Sequence, residues 1–166
     1  IFISQVYNGE MKRIELEDQY GPVSVYLLPF LKPATVRHAL QREDINTYEE
    51  GVVAALQECE IDRLQRNILV AHQFVTGANR SDSEETSVGG LDNVSAEVFE
   101  GFDYVALGHI HRPQKMGRET LRYSGTPLKY SFSEADHKKL VTIVELLEKG
   151  NVEISMVPLV PMRDMR

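Results

Sequence analysis

The sequence has few of the features that mark a disulfide-bonded, membrane or nucleic-acid-coating protein. It contains one cysteine, Cys59, which excludes a disulfide framework and favours a reducing, cytoplasmic setting. Its apolar runs are far too short to cross a bilayer. Positive charge is not in excess, because 18 Lys and Arg against 25 Asp and Glu give 18 − 25 = −7. This balance argues mildly against a surface that is wholly a nucleic-acid footprint.

What is present is the composition of an ordinary globular protein. The 166 residues are 42% hydrophobic and 26% charged, which is enough for one core. The chain opens on the apolar run Ile1-Phe2-Ile3 and has no initiator methionine. We therefore expect it to be a piece of a longer protein.

Strand and helix patterns alternate along the chain, which predicts an α/β layered sheet. Two alternating runs joined by Asn8-Gly9 predict a hairpin at the start. Thr47 and Glu50 have the spacing of a capping box and begin an amphipathic helix predicted over 47–65. The remaining predicted elements are strands at 21–30, 67–74 and 103–111, short helices after Pro33 and at 95–101, and antiparallel strands at 120–125, 139–147 and 151–159.

Three histidines lie at the ends of predicted central strands. His109 and His111 close the run DYVALGHIH, and on an extended backbone residues two apart point to one face. His72 ends the other central strand, and in open α/β sheets ligands gather beyond the carboxyl ends of the strands. Gly108 lets a ligand or loop approach closely. Since imidazole binds zinc, manganese and iron, these residues predict a metal site.

From the residues alone, two other interpretations stay open. A His-x-His pair by itself is more often a hydrogen-bonded pair at a strand end than a metal site. Three histidines can also hold a catalytic zinc with an open position. His38 and His137 lack such a context and are predicted to lie on the surface. A pair of hard ions would need carboxylates as well, and the candidates near the long polar stretch are Asp82, Glu84, Glu85 and Asp92.

Longer strings around the histidines resemble a known family. ALGHIH, with AHQF before it and YSGTPLKYSFSE after it, is similar to the calcineurin-like metallophosphoesterase superfamily, whose mark is Gly-His-x-His. Within that superfamily, the strings LEDQYGPVSVYLLPFLKPA, SVGGLDNV, FDYVALGHIHRPQ and YSGTPLKYSFSEADHKK resemble the DNA nuclease subunits that act with a coiled-coil ATPase. They cover most of residues 17–148.

The resemblance implies two divalent ions, Mn²⁺ in that family, with His72 and His109 serving one ion and His111 the other. The family's Asp-x-His, Gly-Asp and Gly-Asn-His elements do not occur in this sequence. We therefore expect residues 1–166 to be the C-terminal part of a phosphoesterase domain, the second half of its α/β sandwich of mixed sheets flanked by helices. No catalytic residue is expected in it, and the isolated chain is expected to be inactive.

For the longer protein, the resemblance implies metal-dependent hydrolysis of phosphodiester bonds at double-stranded DNA ends and hairpins, in DNA repair and recombination. It implies the ATPase and a second copy of the nuclease as partners. Five basic residues and one acidic residue lie between Arg112 and Tyr130, and Arg112 and Lys129 are the nearest candidates for gripping phosphates. The alternatives are a phosphoesterase for small phosphoesters and a scaffold without catalysis that docks an ATPase.

Overall fold

The computed structural model describes residues 1–82, 84 and 92–165. Within them it contains two α-helices, ten strands and two short 3₁₀ helices. The α-helices are α1 (Pro33–Leu40) and α2 (Tyr48–Gln57), and the 3₁₀ helices are Ala96–Phe99 and Phe132–Glu134. The strands are β1 (Lys12–Asp18), β2 (Gly21–Leu28), β3 (Arg66–His72), β4 (Phe74–Val75), β5 (Asn93–Val94), β6 (Tyr104–Gly108), β7 (Gln114–Met116), β8 (Arg118–Tyr123), β9 (Leu140–Leu146) and β10 (Val152–Pro158).

A six-stranded mixed sheet organises the fold. Its strand order is β1-β2-β3-β6-β8-β7. The four inner strands β2, β3, β6 and β8 run parallel, and the two edge strands are antiparallel to their neighbours. The carboxyl ends of β2, β3, β6 and β8 therefore share one rim of the sheet. This confirms the predicted α/β class and places the ends of β3 and β6 side by side.

One face of this sheet packs against the helices. Leu69 of β3 and Val105 of β6 are fully buried, together with Val52 of α2 and Phe99 of the first 3₁₀ helix. The near-continuous apolar runs of β3 and β6 suit strands at the centre of a parallel sheet. The core thus fixes the two strands that end at the candidate site.

The predicted N-terminal hairpin is wrong in its first strand and its turn. A hairpin forms between β1 and β2, with Asp18 paired to Gly21, so the turn is at residues 19–20 and not at Asn8-Gly9. Gly21 has a φ of +94°, and the Asp18 carboxylate accepts the Tyr20 N–H at 2.8 Å. The run 1–6 is not a strand, and its apolar side chains are exposed. Burial of β2 decides the pairing, which a turn dipeptide alone does not.

Two other boundaries differ from the prediction. The helix begins with the predicted Thr47 and Glu50 capping box but ends at Gln57, and Leu64 is left 88% exposed. A turn closes there, in which Asp62 accepts the Leu64 N–H. The antiparallel pair β9 and β10 is confirmed. The predicted antiparallel strand 120–125 corresponds to β8, which pairs parallel with β6 and antiparallel only with β7.

Candidate metal centre

Two imidazoles meet at the carboxyl ends of β3 and β6. His72 is the last residue of β3, and its neighbour across the ladder is Gly108, the last residue of β6. His109 follows at once, and its ring centroid lies 5.3 Å from that of His72, with the planes 83° apart. A Cβ on Gly108 would lie 2.8 Å from His72 Nδ1. The glycine therefore provides the space that the His72 ring occupies.

The backbone at His109 is not extended, so the prediction that His109 and His111 share one face of an extended strand is wrong. Strand β6 ends at Gly108, and His109 has a φ of +102°. Such a conformation costs a non-glycine residue about 1–3 kcal/mol and persists only where the surroundings impose it. Here the His109 ring is stacked on Phe30, with centroids 6.1 Å apart, and it contacts the edge of Phe74 at 6.3 Å. Aromatic packing, rather than strand geometry, directs this histidine.

Partial desolvation favours the neutral form of both rings, which is the form that binds metal. Desolvation lowers the pKa of His72. Desolvation also lowers the pKa of His109, assisted by the nearby His72 and Arg80 charges. His109 Nε2 is buried and has no hydrogen-bond partner among the described residues. A neutral imidazole with a buried, unpaired nitrogen fits a divalent ion, so this pair suits the metal that the family resemblance implies.

A pH dependence of folding follows from these shifts. Both histidines have a folded-state pKa below the unfolded value of about 6.5. As the pH falls through that value, the unfolded chain takes up protons first, so stability is full at pH 7.5 and is lost toward pH 5.5. We expect the urea midpoint to drop over this range. Replacing His72 and His109 together by Asn should reduce the drop in the urea midpoint, whereas replacing the exposed His38 should not. Equal drops in the wild type and in both variants would show that His72 and His109 do not cause the pH dependence.

His111 lies in a different set of contacts. Its Nδ1 is 2.9 Å from Glu134 Oε1, and its ring centroid is 5.6 Å from that of Tyr130. In the described part of the chain, no group of three or more His, Cys, Asp or Glu side chains is placed to hold one metal ion. The structure therefore brings His72 and His109 together and does not add His111 to that pair.

The four candidate carboxylates differ in their exposure and in their contacts. Asp82 is exposed, and Glu85 lies outside the described residues. Glu84 is buried and accepts the backbone N–H of His111 at 2.5 Å. Asp92 is buried and pairs with Arg80 at 3.1 Å. Glu84 and Asp92 thus act as partners of neighbouring groups in this arrangement.

Sequence reasoning missed three residues that shape the site. Glu134 is fully buried beside His111, and Lys139 is buried beside Glu134. Both belong to the string YSGTPLKYSFSEADHKK, whose resemblance to the family was the available signal.

His137 was expected on the surface, and this is wrong: its side chain is 10% exposed, with Nδ1 4.0 Å from Glu134 Oε2, and burial lowers its pKa. His38 is exposed, as predicted.

The third missed residue, Tyr123, holds the backbone just after His72. Its hydroxyl donates to the Gln73 carbonyl at 2.7 Å and accepts the Val75 N–H at 2.8 Å. We expect Tyr123→Phe to cost about 1–3 kcal/mol for each of the two buried groups that it leaves unpaired. Urea unfolding at pH 7.5 measures this loss. The exposed Tyr130→Phe serves as the control, and equal stabilities of the two variants would contradict this role.

Most residues of the basic cluster after His111 form ion pairs or hydrogen bonds with other residues of the chain. Arg122 is buried and pairs with Glu119, and Arg118 donates to the carbonyls of Phe99 and Phe102. Lys129 donates to the Ala135 carbonyl and pairs with Asp164 at 2.9 Å, so it would have to leave these partners to reach a phosphate. Arg112 is exposed. Of the two residues predicted to contact phosphates, Arg112 is the more exposed.

Two further findings concern Cys59 and the helices. Burial raises the pKa of the Cys59 thiol, which disfavours its reactive thiolate form. None of the helices in the described residues is long and apolar enough to span a bilayer.

A mixed six-stranded sheet with few helices is consistent with part of a metallophosphoesterase α/β fold. No family model matches the chain. Over 166 residues the chain is 30% identical to the SbcD subunit of the nuclease SbcCD from Staphylococcus epidermidis, and the match covers 98% of this chain. The chain spans 44% of the length of that relative. This similarity confirms the narrower resemblance, to part of the SbcD nuclease subunit.

Proposed function

We propose that this chain is the C-terminal, histidine-bearing part of the phosphoesterase domain of an SbcD-like nuclease. The longer protein would hydrolyse phosphodiester bonds at double-stranded DNA ends and hairpins in repair and recombination, in the cytoplasm. The observation that carries the proposal is the His72–His109 pair, with ring centroids 5.3 Å apart at the carboxyl ends of two adjacent parallel strands. The similarity to the staphylococcal SbcD protein supports the choice of nuclease over a phosphoesterase for small substrates.

Each described residue at the rim has a distinct task in this proposal. His72 and His109 would hold one of two divalent ions, proposed to be Mn²⁺, and His111 the other. Divalent ions in such sites supply Lewis acidity, which activates water and neutralises charge on a phosphoryl group. Phe74, which is 8% exposed, shields the His109 ring from water. The exposed Arg112 is placed to contact a DNA phosphate.

The chain alone is proposed to be inactive. Its sequence lacks Asp-x-His, Gly-Asp and Gly-Asn-His elements, and its described residues form no three-ligand group. The same observation disfavours the alternative of three histidines on one zinc ion, since His111 does not join the other two. We propose that the missing ligands, a second nuclease copy and an SbcC-like coiled-coil ATPase complete the working enzyme.

Calorimetric titration of the longer protein with Mn²⁺ tests this proposal. We expect two ions to bind to the wild type and His109→Ala to weaken binding at one site. His38→Ala, an exposed histidine on α1, is the matched control and should bind as the wild type does. Unchanged binding in His109→Ala would contradict the proposed ligand role.

A further inference from the structure

His111 is held at both its backbone and its ring by groups from other segments of the chain. Its N–H donates to Glu84 Oε1 at 2.5 Å. Its carbonyl accepts from Lys139 Nζ at 3.0 Å and from the Thr126 N–H at 3.2 Å. Its ring Nδ1 lies 2.9 Å from Glu134 Oε1. These four contacts come from residues 15 to 28 positions away in the sequence, so the tertiary fold fixes the residue.

Two of these partners form a buried ion pair. Glu134 is 0% and Lys139 5% exposed, and Lys139 Nζ donates to Glu134 Oε2 at 2.7 Å. Lys139 also donates to Thr126 Oγ1 at 2.9 Å. Desolvating two charges offsets most of what their attraction gains, so such a pair is weak evidence for stability by itself. Its contacts with His111 point to a role in positioning.

The carboxylate also determines where the His111 proton resides. An ionised carboxylate only accepts hydrogen bonds, so Nδ1 facing Glu134 Oε1 must carry the hydrogen. In a neutral imidazole with this tautomer the lone pair is on Nε2, so Nε2 is the nitrogen that can bind a metal ion. Carboxylates that accept the second ring N–H of a histidine commonly fix the tautomer and orientation of a metal ligand.

We propose that Glu134 and Lys139 are positioning residues for His111: Glu134 fixes its Nδ1–H tautomer and ring orientation, and Lys139 neutralises Glu134 while holding the His111 carbonyl. The value of this arrangement to catalysis rests on the proposed nuclease function. The positioning itself does not, because it is a property of the chain without metal.

Two double variants separate positioning from mere support of the fold. Glu134→Gln with Lys139→Met keeps an amide oxygen that can accept the Nδ1 hydrogen. Glu134→Leu with Lys139→Met removes the acceptor. Both remove the two charges together, so neither leaves a buried charge unpaired. The pair therefore differs mainly in whether a group accepts a hydrogen bond from His111.

Long-range proton–nitrogen NMR of the ¹⁵N-histidine-labelled 166-residue chain reports the tautomer of each ring. We expect the Nδ1–H form of His111 in the wild type and in the Gln/Met variant, and its loss in the Leu/Met variant. His38 serves as the internal control in every spectrum. If the Leu/Met variant does not fold, Glu134→Ala with Lys139→Met also removes the acceptor without leaving a buried charge unpaired, and it gives the same comparison. A His111 tautomer that is unchanged without the acceptor would overturn the proposal.

Mn²⁺ titration of the longer protein carrying the same two double variants gives the second measurement. Loss of an orienting partner typically weakens metal affinity by about 10–100-fold, so we expect the Leu/Met variant to fall below the Gln/Met variant by that factor. The His111 tautomer could change with the acceptor while the longer protein binds no Mn²⁺. That result would refute the proposed function and leave the positioning role of Glu134 and Lys139 intact. Equal affinities in a protein that does bind Mn²⁺ would overturn the inferred role in metal binding.

Discussion

Replacing Gly125 by alanine should destabilise the chain by about 2–5 kcal/mol, as the sum of backbone strain and steric overlap. Gly125 has a φ of +75°, and an added Cβ would lie 2.7 Å from the His111 carbonyl oxygen and 2.7 Å from Pro113 Cδ. Its third close neighbour is the Pro113 nitrogen at 2.8 Å. Two of these atoms are backbone and the third belongs to a proline ring, so none can move away cheaply.

A matched control isolates the two contributions to this loss. Gly117 has nearly the same φ, +73°, but no heavy atom within 4 Å of its added Cβ. Gly117→Ala should therefore show the strain alone, about 1–2 kcal/mol. Urea unfolding of both variants measures the difference. Equal losses at the two positions would mean that Gly125 is not needed for the close approach to His111.

Gly108→Ala should reduce Mn²⁺-dependent DNA cleavage by the longer protein about 100-fold or more, since displacements of about 1 Å at a reacting centre have effects of that size. The added Cβ would lie 2.8 Å from His72 Nδ1, so the His72 ring must leave its position beside His109. Because the atom that has to move is in a side chain, we expect the fold to survive. Circular dichroism and the urea midpoint establish that point.

The control for Gly108 is a glycine without a close polar neighbour. Gly51 lies in α2, and its added Cβ would be 3.4 Å from a Val36 methyl group, the nearest contact. Gly51→Ala should leave cleavage unchanged. If Gly108→Ala also leaves cleavage and Mn²⁺ affinity unchanged, the position of the His72 ring does not matter, and the proposed site is wrong.

Local sequence patterns predicted the parts of the fold that depend on burial along one segment. The apolar runs ending at His72 and Gly108 were recognised as central strands, and their parallel pairing placed His72 and His109 together. The capping box at Thr47 was confirmed. The hairpin turn was misplaced because Asn8-Gly9 favours a turn locally, whereas the position of β1 is set by its ladder with the buried β2.

Long-range contacts account for what the patterns could not predict. His109 has a positive φ, and its ring stacks on Phe30, which lies 79 positions earlier in the sequence. Glu134 and Lys139 look like ordinary surface charges in the sequence, yet both are buried against His111. No local periodicity marks a charged residue as an orienting partner, so only the resemblance of the surrounding string pointed to them.

The most direct test of the account is Mn²⁺-dependent cleavage of linear double-stranded DNA by the longer protein, its His109→Ala variant and the isolated 166-residue chain. We predict cleavage by the longer protein, its loss in His109→Ala but not in His38→Ala, and none by the isolated chain. Full activity of the longer His109→Ala variant would contradict the proposed metal site. Cleavage by the isolated chain that disappears on His109→Ala would contradict the conclusion that its set of ligands is incomplete.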